Sequence, residues 1–373
     1  MLNREPTKFF SAGEKPSLKR IDVVKQVAFE EKGFDGFAVF NWANLIYLTN
    51  SPAATALVIP RDGKSIIYTY GVNYEQAKAE GKDLIVELVR RDENLMTKIA
   101  ETAKGQKIKK LAVDTLSVKG WRALIKETSG EVLPEIKGNI ILDLRKVKDK
   151  EELAFMRKAG ELTSEGMKVA FEVLTPGIKE YELAAEIEYS MRKRGSNGTA
   201  FETIVASGKY SAFPHGSCSN RVICEGDLVV VDVGATYKFY HSDMTRTLVA
   251  GNPSEKQKRI HDIVKTAQEA ALKIIKPKAK AKEIDYAARK IINDTGYSEH
   301  FVHGLGHGVG LEVHEPPTLN SHSKETLAVG NVVTDEPGIY LVGYGGIRIE
   351  DTVVVKKDGA EKLTHCSYKL GKE

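Results

Sequence analysis

DLVVVDVGATYKFYHSDMTRTLVAG, residues 227–251, is the stretch on which the fold reading turns. It opens on the strongly β-branched DLVVVDVG (227–234) and closes on HSDMTRTLVAG (241–251), which read as consecutive strands. Asp232 lies on the first strand and Asp243 at the start of the second, symmetric about a turn near 237–238. An antiparallel hairpin centred there makes them cross-strand neighbours on one face, where like charges destabilise a sheet. Glu336 and Glu350 repeat the arrangement about Gly343, inside LVGYGG (341–346). Exposure, or pairing with Arg246 and Arg348, would relieve one such hairpin. Two of them, with a histidine-rich segment between, favour a bound cation. Four carboxylates and an imidazole suit Mn²⁺, Co²⁺, Fe²⁺ or Zn²⁺, and two ions about 3.5–4 Å apart that share carboxylates form a hydrolytic centre.

The histidine-rich segment is HGLGHGVGLEVHEPP (303–317), which carries His303, His307 and His314. His303 and His307 have helical spacing, but Gly304, Gly306, Gly308 and Gly310 argue against a helix. A loop is expected, its backbone free to come close to an ion or substrate. No register fits a dinucleotide fingerprint or a phosphate-binding P-loop. A fourth histidine, His215, sits in FPHG (213–216), shortly before the first hairpin.

Upstream, Ser17 to Glu31 reads as an amphipathic helix stopped by Gly33. GFAVF (36–40), NLIYL (44–48), ALVIP (56–60) and SIIYTY (65–70) read as strands. Helices near 73–80, 93–103 and 118–127 interleave with strands near 84–88, 110–113 and 139–143, an alternation that suggests an α/β domain. The charge run KVKDKEE (146–152) marks a helix start and a boundary, dividing the chain into domains 1–146 and 147–373. The second domain reads helix (151–174), helix (180–193), hairpin, helix (254–275), helix (281–295), hairpin. That order hints at internal duplication.

The bulk composition agrees with an ordinary globular protein. Of 373 residues 42% are hydrophobic, and the net charge is +4 from 55 basic and 51 acidic residues. So even a balance argues against nucleic acid as the main partner. Three cysteines form neither a disulfide framework nor a zinc site and fit a reducing compartment. The N-terminal MLNREPTKFFSAGEKP has no signal-peptide core, and no apolar run approaches the roughly 20 residues that span a bilayer. A soluble, cytoplasmic protein is expected.

Together FPHG (213–216), VDVGATYKFYHSDMTRT (231–247), HGLGHGVGLEVHE (303–315), TDEPGIY (334–340) and RIEDT (348–352) resemble the metal-dependent peptidases of the pita-bread fold. The proline-specific branch, Xaa-Pro dipeptidases (prolidases) and Xaa-Pro aminopeptidases, is most similar. The resemblance covers nearly the whole chain. It implies a creatinase-type N-terminal α/β domain followed by a pita-bread domain with two helix-helix-hairpin halves. It also implies two divalent ions: Asp232 and Asp243 on the first, His307 and Glu336 on the second, Glu350 bridging, and Asp243 shared. Water between the ions is the implied nucleophile, with Glu336 moving its proton. His215 and His314 are implied to hold the substrate carbonyl and its oxyanion, His303 to line the pocket, and Arg348 to support a ligand or bind a carboxylate. A homodimer is implied as well. Creatinase shares the fold but lacks the ligands, and methionine aminopeptidases usually lack the large N-terminal domain.

An Xaa-Pro bond has no N–H and carries a ring that crowds the preceding residue. A site that grips the carbonyl and the free amine tolerates the missing donor, but selection of proline needs an apolar pocket. Trp42 and Tyr47, in NWANLIYL (41–48), are candidate contributors. Dipeptide hydrolysis is the leading expectation, release of an N-terminal residue from longer peptides the alternative. A non-catalytic peptide-binding module on the same scaffold is disfavoured because all five ligand positions are filled.

Overall fold

The computed structural model describes residues 16–81 and 83–371. The chain divides into two compact units, the first ending at Arg145 and the second beginning at Lys146. Residues 1–15, read above as lacking a signal peptide, lie outside the described residues. No helix among the described residues is long and apolar enough to cross a membrane.

In the first unit, helix α1 (Pro16–Lys25) already contains Ser17, continues as a π-helical turn (Gln26–Glu31) and ends at Gly33, whose φ of +71° stops it. There follow β1 (Gly36–Val39), α2 (Trp42–Thr49), β2 (Ala56–Pro60), β3 (Ile66–Tyr70), α3 (Tyr74–Glu80), β4 (Ile85–Val89), α4 (Leu95–Gly105), β5 (Lys110–Val113), α5 (Val118–Glu127), β6 (Leu133–Ile136) and α6 (Asn139–Arg145). The six strands form one mixed sheet in the order β4-β3-β2-β1-β5-β6. Strands β1 and β2 are buried along their whole length, which explains their unbroken apolar sequences.

Two segments of this unit depart from expectation. NLIYL (44–48) belongs to α2 and is not a strand. Asn41 caps that helix by accepting the Asn44 N–H at 3.0 Å, and Asn50 ends it at φ +56°. A short helix buried on nearly every side is apolar all round, so its sequence lacks the period that would reveal it. Residues 139–143 likewise form α6. The strand lies earlier, at β6, where Pro134 is tolerated because β6 is an edge strand.

The second unit opens with α7 (Lys150–Val173). Its N-terminus is a capping box in which Asp149 accepts the Glu152 N–H and the Glu152 side chain accepts the Asp149 N–H, both at 2.9 Å. Then come α8 (Glu180–Lys193), β7 (Gly198–Thr199), β8 (Ile204–Ser207), β9 (Leu228–Val233), β10 (Ala235–Tyr237), β11 (Tyr240–His241) and β12 (Met244–Val249). The second half has α9 (Glu255–Leu272), α10 (Ala281–Asp294), β13 (Gly306–Gly308), β14 (Glu315–Leu319), β15 (Val332–Asp335), β16 (Gly338–Leu341), β17 (Gly345–Arg348), β18 (Asp351–Lys356) and β19 (Gly359–Lys362). The first half has a sheet ordered β12-β9-β8. The order β18-β15-β13 recurs inside the five-stranded sheet of the second, so the two halves are duplicates in topology. In each, the helix pair packs on one sheet face. Leu183, Ile187, Val229 and Val231 share one apolar core; Val264, Ile284, Val333 and Val353 share another. Strand alternation therefore turns Asp232 to the opposite face from Val231 and Val233.

The hairpin registers settle the acid pairs. Asp232 pairs with Thr245, not with Asp243, which lies just before β12. The connection carries the extra small strands β10 and β11, and their turn at Lys238 and Phe239 shifts the hairpin by two residues. An even shift keeps both aspartates on one face. In the second hairpin Asp335 pairs with Asp351 and Gly338 with Arg348, so the axis passes through Gly343 and encloses Glu336 and Glu350.

The glycine-histidine segment is not all loop. Strand β13 pairs with both β14 and β15. A Cβ on Gly306 would stand 2.2 Å from the Thr334 carbonyl oxygen, and one on Gly308 2.4 Å from that of Pro316. Only glycine allows three backbones to approach so closely.

Candidate active site

A cavity of about 470 Å³ lies against these strands. Its lining includes Asp232, Asp243, His307, Glu336 and Glu350, together with His215, His303, His314 and Arg348. His307 projects from β13 with its N–H held by Thr334 Oγ1 at 3.0 Å. Its Nδ1 lies 3.1 Å from the Gly308 carbonyl, which can only accept, so Nδ1 carries the proton. Nε2 then faces the acids, 3.2 Å from Glu336 Oε1 and 3.8 Å from Asp243 Oδ2, a position a shared proton holds without metal and a divalent ion would take over. Ligand atoms of Asp243, His307 and Glu350 all lie within 4.8 Å of one another.

Hydroxyls and one guanidinium hold the acids in place. Thr245 Oγ1 donates to Glu350 Oε2 at 2.5 Å, and Thr334 Oγ1 to Glu336 Oε1 at 3.0 Å. Arg348 donates to Asp232 at 2.6 Å, to Thr245 Oγ1 and the Tyr340 hydroxyl at 3.0 Å, and to the Pro214 carbonyl at 3.1 Å. His303 donates from Nδ1 to the Gly304 carbonyl and accepts the Tyr340 hydroxyl on Nε2, both at 2.8 Å. His314 stands edge-on to His307, ring centres 4.2 Å apart. His215, on an exposed turn, lines the same cavity.

The electrostatics demand positive charge. Burial, then the charges of Glu350, Asp232 and Glu336, push Asp243 well above the usual carboxylate range. Burial, then Glu336 and Asp232, do the same to Glu350. Burial also acts on Glu336, but the bond to His307 and that residue's charge hold it at about 2. Burial lowers His303, and burial with the neighbouring His307 lowers His314. Asp232 Oδ1 and Asp243 Oδ1 are buried without a hydrogen-bond partner. Carboxylate oxygens left so are costly unless a cation faces them. The donor set, oxygen with one imidazole nitrogen, fits a divalent metal.

Residues 154–357 match metallopeptidase family M24, and residues 24–147 match the creatinase/prolidase N-terminal domain. The chain belongs to metallopeptidase family M24. It is 40% identical to the Xaa-Pro dipeptidase of Pyrococcus furiosus over 91% of this chain and 96% of that one. The crystal structure of the prolidase from Pyrococcus horikoshii superposes with a TM-score of 0.89 at 37% identity, covering 94% of this chain and 99% of that one. The X-Pro aminopeptidase from Thermotoga maritima gives 0.84 at 36% identity, covering 91% and 98%. This M24 chain is accordingly a metallopeptidase, and its mixed α/β architecture matches prolidase structures.

Several M24 site residues escaped the sequence reading. Thr245 and Thr334 were findable, since each lies two residues from an acid and so shares its strand face. Tyr340, which ties His303 to Arg348, gives no such signal. Nor do Phe201, Ile204 and Val313, the apolar members of the lining, or the polar Glu202, Thr318 and Asn320. Trp42 lies half-exposed in the first turn of α2 in the first unit, and Tyr47 is core there.

Proposed function

We propose that this metallopeptidase hydrolyses the Xaa-Pro bond of dipeptides, using two divalent ions. Asp232 and Asp243 would hold one, His307 and Glu336 the other, with Glu350 and Asp243 shared. Mn²⁺, Co²⁺, Fe²⁺ and Zn²⁺ all suit these donors. Bound there, the ions supply Lewis acidity and lower the pKa of water. The observation that carries the reading is the convergence of four buried acids, two oxygens among them unpartnered, around Nε2 of His307.

The chain's own groups supply the rest. Glu336, in contact with His307, accepts a proton and returns it to the departing proline nitrogen. His215 and His314 orient the scissile carbonyl and donate to the oxyanion. His303, fixed by Tyr340, shapes the wall beside them. Phe201, Ile204, Pro214 and Val313 offer apolar surface to the prolyl ring. Trp42 belongs to the first unit and is proposed as a substrate contact from the resemblance alone. Three free cysteines suit a reducing cytoplasm. The chain acts as a homodimer on small peptides, and a monomer mass by light scattering at micromolar concentration would contradict that.

One observation favours aminopeptidase action on longer peptides. Among the described residues lining the cavity, Arg348 is the sole lysine or arginine, and its donors are engaged by Asp232, Thr245, Tyr340 and Pro214. The free carboxylate of a dipeptide finds no unengaged cation of that kind in the lining. The two readings separate in one experiment. The enzyme is stripped of metal, restored with each ion in turn, and assayed on Ala-Pro and Ala-Pro-Ala. Faster turnover of Ala-Pro is expected. Preference for the tripeptide would replace the dipeptidase reading with the aminopeptidase one, and inactivity on both with every ion would defeat both.

A further inference from the structure

The segment that carries His215 leaves β8 at Ser207 and rejoins the α7–α8 layer at Ser219. Both ends of it meet a single carboxylate. Glu180, the first residue of α8 and 2% exposed, accepts the Ser207 N–H at 2.8 Å and the Ser207 hydroxyl at 2.6 Å on Oε1. On Oε2 it accepts the Ser219 N–H at 3.0 Å and the Ser219 hydroxyl at 2.6 Å. Four donors thus close the base of the segment on one side chain. Backbone bonds from the Glu180 N–H to the Arg221 carbonyl and from the Tyr181 N–H to the Ser219 carbonyl lock the carboxylate to the same strand of chain. The far part of the segment is held at two points. Ser211 Oγ accepts the Gly346 N–H at 2.9 Å, and the Pro214 carbonyl accepts Arg348 at 3.1 Å.

We propose that Glu180 is a positioning residue for His215, fixing the two ends of its segment so that the imidazole stands at the cavity in its working orientation. This rests on the reading of His215 as a group that touches substrate. Glu180 lines no part of the cavity and acts only through the segment. The chemistry of the clamp is specific to a carboxylate. Four donors converge on two oxygens, so an amide of the same shape turns its NH₂ against a backbone N–H at one end. One end of the segment is then released.

A double-mutant cycle tests this, with wild type, Glu180→Gln, His215→Ala and the double variant, each loaded with Mn²⁺ and assayed on Ala-Pro. Metal content, kcat and KM are measured for each. His215→Ala is expected to lower kcat about 100-fold or more, as loss of an oxyanion donor does. Glu180→Gln is expected to lower kcat roughly 10-fold with metal content unchanged, and to cost less than about twofold when His215 is already alanine. Equal factors in both backgrounds would mean a general structural role and overturn the proposal, as would a Glu180→Gln enzyme with wild-type kcat. A His215→Ala enzyme with wild-type kcat would overturn the reading of His215 itself. Should Glu180→Gln fail to fold, Ser219→Ala, which removes one exposed hydroxyl from the clamp, decides in its place. A fall in kcat that vanishes beside His215→Ala supports the clamp; no fall, or the same fall in both backgrounds, overturns it.

Discussion

Replacing Thr245 by valine removes one hydroxyl from the centre of the acid cluster and changes almost nothing in shape. That hydroxyl donates to Glu350 at 2.5 Å and accepts the Arg348 Nε–H at 3.0 Å, and the residue is wholly buried. Each bond involves a charged partner, and such bonds contribute roughly 1.5–3 kcal/mol apiece. Both together set an upper bound of about 6 kcal/mol. Glu350 turns its carboxylate toward bound metal, which relieves its share, while the guanidinium N–H stays buried with nothing to accept it. The expected loss of stability in the metal-loaded protein is about 2–3 kcal/mol. The same hydroxyl orients Glu350, so metal affinity is expected to fall about 10–100-fold, the usual cost of losing a group that orients a ligand. Urea denaturation with and without metal gives the first quantity and a competitive metal titration the second. Stability within about 0.5 kcal/mol of wild type, together with unchanged affinity, would refute the view that this hydroxyl organises the site.

Chelated protein should become less stable as pH rises from 6 to 8. Burial and neighbouring acids hold Asp243 and Glu350 high, so without metal the folded chain keeps protons that the unfolded chain has already released. Stability present at low pH is then lost as pH rises through the folded values, by up to about 1.4 kcal/mol per pH unit per group. His307, held high mainly by its bond to Glu336 against burial, adds in the same direction, while Glu336 at about 2 contributes no slope there. Calorimetry after chelation checks this, and a melting temperature that climbs with pH would contradict it. Gly306→Ala should cost about 3 kcal/mol and most of the bound metal, since its Cβ meets backbone on β15 that cannot yield. Gly120→Ala meets only the flexible end of Leu116 and Ser117 Oγ and should melt within a few degrees of wild type.

Much of the site was legible because metal ligands must converge, and convergence leaves a pattern. Acids spaced symmetrically about turns, with histidine between glycines, stand out against strands that otherwise read Val and Ile. The exact partner of Asp232 was not legible, since small strands inserted in a turn move the register without changing the pattern that flanks it. NLIYL and NIILD (139–143) failed for a different reason. A buried helix of two turns and a buried strand present the same apolar face to the reader, and the deciding groups, Asn41 and Asn50, are polar residues outside the run. The cavity walls were illegible because Phe201, Ile204 and Val313 owe their place to how separate segments meet.

The proposed ligands are divided between the duplicated halves. Asp232 and Asp243 come from the first, and His307, Glu336 and Glu350 from the second. The second half alone offers an imidazole and two carboxylates, but neither half offers all five donors. The complete two-ion site therefore comes into being only when the two halves have met. The acids must be brought together against their own repulsion by the apolar faces behind them. An ion held by Asp243 together with His307 and Glu350 would be a latch across the seam between the halves, and its retention would report on the integrity of that seam.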